Sequence, residues 1–88
     1  MKRKPKASIL VVEDDLSILH GHLDVLVFNG YAATGAEDGA EGLKLALERD
    51  FDLIVLDLML PTLDGLSICR TIREEKPRQG IVILTAKG

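Results

Sequence analysis

The sequence predicts an α/β domain built on a parallel sheet with helices on both faces. Three observations predict it. Ile9 to Val12, Leu53 to Leu56 and Ile81 to Leu84 are uninterrupted aliphatic runs, the pattern of strands covered on both faces. The segments between them switch to apolar residues three and four apart, the helical repeat. Their order, β-α-β-α-β-α-β with short connections, is that of strands joined by right-handed crossovers. At 88 residues the chain is one small domain.

Each element follows from local chemistry. Ile9 to Val12 ends in Glu13-Asp14-Asp15, so the first strand delivers carboxylates at its C-terminal end. Asp15 can cap the first helix, in which Leu16, Leu19, Leu23, Leu26 and Val27 form one stripe, and Asn29-Gly30 supplies a left-handed stop. Ile18, Val25 and Phe28 lie off that stripe, which gives the helix a second apolar side in need of a partner. Tyr31 to Ala36 reads as a short strand. Glu37-Asp38-Gly39 is a polar turn that places negative charge at the start of the second helix, whose stripe is Ala40, Leu43, Ala46 and Leu47 and which closes at Arg49-Asp50. Leu53 to Leu56 ends in Asp57. In the following Leu-Met-Leu-Pro-Thr-Leu-Asp-Gly loop, Pro61 cannot continue a strand ladder and Gly65 permits a close turn. Leu66, Cys69 and Ile72 space a third helix that ends at Lys76-Pro77, and Ile81 to Leu84 ends in Thr85.

Composition excludes several classes. An apolar share of 47% beside 28% charged residues argues against disorder and low complexity. With three aromatics (Phe28, Tyr31, Phe51) there is no stacking platform for single-stranded nucleic acid. No apolar run exceeds four residues, against the roughly 20 that a membrane-spanning helix needs. Lys2, Arg3, Lys4 and Lys6 form a basic head, expected to be a flexible segment over residues 1–7, with the folded domain over 8–88. From residue 7 onward seven bases face fourteen acids. Ile9 to Val12 is too short for a signal-peptide core, and the single Cys69 cannot close an internal disulfide, so a cytoplasmic location is expected.

In a parallel sheet the C-terminal strand ends share one edge, where open α/β folds bind ligands. Asp14, Asp15, Asp57 and Thr85 should converge there from three strands. Carboxylates brought together repel and hold protons unless a cation joins them, and an all-oxygen site suits a hard ion such as Mg2+. With a cation in place, one carboxylate oxygen can act as nucleophile toward a phosphoryl group, giving an aspartyl phosphate. Asp57 is the candidate because it ends the most apolar strand before a sharp loop, and the Thr85 hydroxyl could donate to a phosphoryl oxygen.

Three motifs carry a family resemblance: Val-Val-Glu-Asp-Asp at 11–15, Ile-Val-Leu-Asp-Leu-Met-Leu-Pro-Thr-Leu-Asp-Gly at 54–65 and Ile-Val-Ile-Leu-Thr-Ala at 81–86. In this order and spacing the chain after its basic head resembles the receiver domain of two-component response regulators. The resemblance implies a flavodoxin-like (CheY-like) doubly wound sheet, here about four strands and three helices. It implies phosphoryl transfer from a sensor histidine kinase to Asp57, with Thr85 as the switch hydroxyl. Mg2+ would be held by Asp15 and Asp57 directly, by Asp14 largely through water, and by the backbone carbonyl of Met59. Met59 and Lys87 match variable positions that tune the phosphoryl lifetime. Such a domain is a regulatory phosphoacceptor, not an enzyme acting on a separate substrate. Receivers continue through a helix, a fifth strand bearing a lysine, an aromatic switch residue and a final helix, which these 88 residues do not include; DNA contact would belong to a separate effector domain.

Other readings are weaker. A haloacid-dehalogenase-type phosphatase wants a second acid two residues after the nucleophile, where Met59 stands, and a flavodoxin-like nucleotide binder would meet repulsion from Glu13-Asp14-Asp15. A non-signalling fragment or self-associating module is the alternative, because Ile81 to Leu84 would be an exposed edge inviting a homo-oligomer or segment-exchanged dimer. His20 and His22 do not share a helix face and read as boundary residues; Cys69 reads as packing.

Overall fold

The computed structural model describes residues 5–57 and 64–84. Four strands, β1 (Ser8–Val12), β2 (Ala32–Ala36), β3 (Leu53–Asp57) and β4 (Gly80–Leu84), alternate with three helices, α1 (Leu16–Phe28), α2 (Gly39–Glu48) and α3 (Gly65–Glu75). The sheet order is β2-β1-β3-β4 and every pairing is parallel. The doubly wound α/β fold expected from the sequence is therefore the fold observed.

The strands alternate between two cores. Leu10, Val12, Ile54 and Leu56 point to one face, where Ala36, Ala46, Phe51, Ile68 and Ile72 complete a buried cluster under α2 and α3. Ile9 and Val11 point to the other, where Leu19 of α1 covers them and Leu23, Leu26, Leu53 and Val55 are partly buried around it. The Ile9 to Val12 and Leu53 to Leu56 runs are wholly apolar because successive side chains meet different helices.

All three helices begin on an aspartate. Asp15, Asp38 and Asp64 accept the backbone N–H of Ile18, Glu41 and Ser67 at 3.1, 2.8 and 2.9 Å, which satisfies donors the first helical turn leaves free. The Ser67 N–H and hydroxyl hold the Asp64 carboxyl below the usual carboxylate range. Gly30, at φ 93°, ends α1 as its sequence position suggested.

The helical stripes differ from expectation in an instructive way. In α2 the buried positions are Gly39, Gly42 and Ala46, while Ala40 and Leu47 are exposed. A Cβ on Gly42 would lie 2.6 Å from Val12 Cγ2, so the helix backbone itself rests on β1 and turns the larger side chains aside. In α3 Ile68 and Ile72 are buried with Gly65, Cys69 is half-buried, and Leu66 is exposed. In α1 Leu19 alone is fully buried, and Leu16 and Val27 join Ile18, Val25 and Phe28 on the exposed side.

Candidate functional site

The chain leaves β1 toward β2 on one side and returns to β3 on the other, with α1 and α2 on opposite faces. The C-terminal ends of β1 and β3 thus flank the point where strand order reverses, the place at which such sheets open a crevice. Val12 pairs with Leu56, and the next residues are Glu13 and Asp57.

Here acidic oxygens crowd together. Glu13, Asp14 and Asp57 each bring a carboxylate oxygen to within 4.8 Å of the other two. Glu13 and Asp57 are 6% and 9% exposed, whereas Asp14 faces solvent. Glu13 is fixed at both ends: its N–H donates to the Ala36 carbonyl at 3.0 Å and its Oε2 accepts the Asp15 N–H at 3.1 Å. Burial pushes the Glu13 pKa above its ordinary value. The Asp57 charge and hydrogen bonds with Asp14 and Asp57 push in the same direction, against the Asp15 N–H. Glu13 therefore holds its proton more tightly than an isolated carboxyl group would. An all-oxygen, negatively charged cluster open to water on one side fits a hard divalent cation and not a thiolate- or imidazole-seeking one.

Of the residues singled out from sequence, Asp14 and Asp57 are brought together. Asp15 is not in the trio; its Oδ1 serves as the cap of α1. Glu13 joins Asp14 and Asp57 in the trio, whereas the sequence reading named only Asp14 and Asp15 of the Glu13-Asp14-Asp15 run as ligands. The signal was available: if Asp15 caps the helix, the strand-end acids facing Asp57 must be 13 and 14. Met59 and Thr85, with Lys87, lie outside the described residues.

The family model of the response regulator receiver domain matches residues 9–88. This chain belongs to that family. The receiver domain is 43% identical over all 88 residues to the transcriptional regulatory protein ResD of Bacillus subtilis, and it spans 36% of that protein's length. Among solved structures it superposes with TM-score 0.87 on the response regulator protein TrrA of Thermotoga maritima, solved in complex with Mg2+ and BeF. That match has 36% identity and covers 92% of this chain and 70% of the other. A response regulator protein of Burkholderia pseudomallei, solved with a phosphorylated aspartic acid, a calcium ion and citrate, aligns at TM-score 0.83. Its identity is 31%, over 92% of this chain and 48% of the other. The receiver's remaining candidates are unremarkable in position: His20 is exposed and His22 half-buried on α1. Among the described residues no helix is long and apolar enough to cross a membrane.

Proposed function

We propose that this receiver domain accepts a phosphoryl group on Asp57 from a sensor histidine kinase, in a reaction that requires Mg2+. The observation that carries this reading is the placement of a nearly buried Asp57 carboxylate within 4.8 Å of Glu13 and Asp14 at the sheet's switch point. Glu13, Asp14 and Asp57 would hold the cation, with Asp15 left to cap α1 in place of the direct ligand role the resemblance gave it. When bound, Mg2+ would offset the trio's repulsion and the charge of the transferring phosphoryl oxygens. An Asp57 oxygen attacks phosphorus as the bond to the donor group breaks, and the phosphoryl group passes to the carboxylate. The β3 end fixes Asp57, and the Glu13 hydrogen bonds fix the opposite wall, so little reorganisation is needed as charge builds. By resemblance, the Met59 carbonyl adds a cation ligand and the Thr85 hydroxyl donates to a phosphoryl oxygen.

Two similar proteins support this chemistry: that of Thermotoga maritima was solved with Mg2+ and BeF, and that of Burkholderia pseudomallei with a phosphorylated aspartic acid. The domain is then a regulatory phosphoacceptor that assists its own phosphorylation, working in the cytoplasm beside the ATP-consuming kinase. DNA binding, as suggested by the transcriptional relative, falls to an effector segment distinct from these residues. The test is incubation with Mg2+ and a small acyl phosphate, followed by intact mass. Incorporation should require Mg2+ and vanish in Asp57→Asn; equal incorporation in that variant refutes the assignment.

A further inference from the structure

We infer that Asp15 is a positioning residue of the cation site: its side chain fixes the start of α1 while its backbone N–H holds the Glu13 carboxylate beside Asp14 and Asp57. This role rests on the reading of that trio as cation ligands proposed above. Glu13 Oε2 accepts the Asp15 N–H at 3.1 Å, and Asp15 Oδ1 accepts the Ile18 N–H, also at 3.1 Å. One residue thus serves the site with its main chain and the helix with its side chain.

Glu13 is the member of the trio that most needs holding. It has three side-chain torsions where an aspartate has two, so fixing its carboxylate for a cation costs more conformational freedom. Its own N–H is tied to the Ala36 carbonyl of β2 at 3.0 Å, but that bond leaves the side chain free to turn. The Asp15 N–H reaches the carboxylate itself. A backbone donor suits the task, because it occupies one lone pair of a carboxylate and leaves the others for a cation.

Asp15 is in turn held from the helix side. Leu19, buried against Ile9 and Val11, donates its N–H to the Asp15 carbonyl at 2.8 Å. With the Ile18 bond, two contacts from the start of α1 keep Asp15 in the extended conformation of a cap residue. The path from core to site runs Leu19, Asp15, Glu13. Asp15 is exposed and, among the described residues, lies outside the trio, so it acts on the cation through Glu13.

NMR titration with MgCl2 at constant ionic strength separates the cap from the charge. Asp15→Ser keeps a capping oxygen and lacks the carboxylate, whereas Asp15→Ala keeps neither. The Ser variant should bind Mg2+ within about threefold of wild type, because an exposed charge contributes little. The Ala variant should bind about tenfold more weakly, a loss typical of a partner standing behind a metal ligand. In chelator, amide hydrogen exchange at positions 15 and 18 should be as slow in Asp15→Ser as in wild type and faster in Asp15→Ala. Asp38→Ala removes a cap and a charge from α2 at the same end of the sheet, and should leave the affinity near that of wild type. Equal losses in Asp15→Ser and Asp15→Ala would make the Asp15 carboxylate a ligand. No loss in Asp15→Ala, or an equal loss in Asp38→Ala, would make the contact merely structural. Each of these overturns the inference while leaving the cation reading intact. A wild-type chain that binds no Mg2+ refutes that reading and the inference with it.

Discussion

The two faces of the sheet are built from the same strands and are finished differently. Under α2 and α3, nine residues are buried and the face is sealed. Under α1, Ile9, Val11 and Leu19 are buried, while among the described residues the β3 and β4 side of that face opens into an apolar groove. Geometry accounts for the difference. Strands lie about 4.8 Å apart, so four span roughly 14 Å between outer axes, and a helix about 10 Å wide covers little more than two of them. Among the described residues, two helices close one face, while α1 packs on β1 and β2 and leaves the rest of the other. Apolar runs in a strand thus record that both faces are meant to be covered, without saying by how much of the chain.

The contrast can be broken most forcefully on the sealed side. Ile72→Ala removes a fully buried side chain with no room to relax and should cost about 3 kcal/mol in denaturant unfolding, within the range of large core truncations. For a domain of this size that is a large share of total stability. Gly42→Ala comes next, at about 1–3 kcal/mol, because the added methyl meets Val12 Cγ2 at 2.6 Å. Combining it with Val12→Ala should recover part of the loss, which a double-mutant cycle would measure.

A smaller effect arises at the strand ends. Glu13 has a folded pKa raised above its unfolded value, so its contribution is favourable below the unfolded pKa and is lost as pH rises through the folded one. Cation-free protein should therefore gain stability as pH falls from neutral through that window. Glu13→Gln should flatten that rise and weaken cation binding, as followed by melting at several pH values. Asp64 has the opposite sign: its depressed pKa makes the α3 cap favourable above the unfolded value, and that contribution is lost as pH falls through the folded pKa. The smallest effect belongs to the open face, where Val25→Ser, at an exposed site, should change stability by less than about 0.5 kcal/mol.

Much of the fold was legible because the strand signal is strong: continuous β-branched and leucine runs ended by acids. The helices were legible as helices but not in their facing. Gly39, Gly42 and Gly65 are buried, yet a glycine adds nothing to an apolar stripe, so Ala40, Leu47 and Leu66 were expected inside and are found outside. Close backbone approach, as between Gly42 and Val12, leaves no mark in hydrophobic periodicity. At the site, Asp57 and Asp14 could be read from strand ends. Glu13 was legible too, since Asp15 already read as the cap of α1, but the run of three acids was weighed without using that cap to choose among them.

If the acidic trio holds a divalent cation, as proposed, melting of the wild-type chain with and without Mg2+ registers it. A cation at 100 times its dissociation constant adds about 2.7 kcal/mol. For a domain this small that amounts to several degrees or more in Tm. The wild-type Tm should rise accordingly with Mg2+, while Asp57→Asn should start higher in chelator, with one repelling charge removed, and respond far less. A wild-type Tm indifferent to millimolar Mg2+, or an equal rise in Asp57→Asn, would contradict the claim.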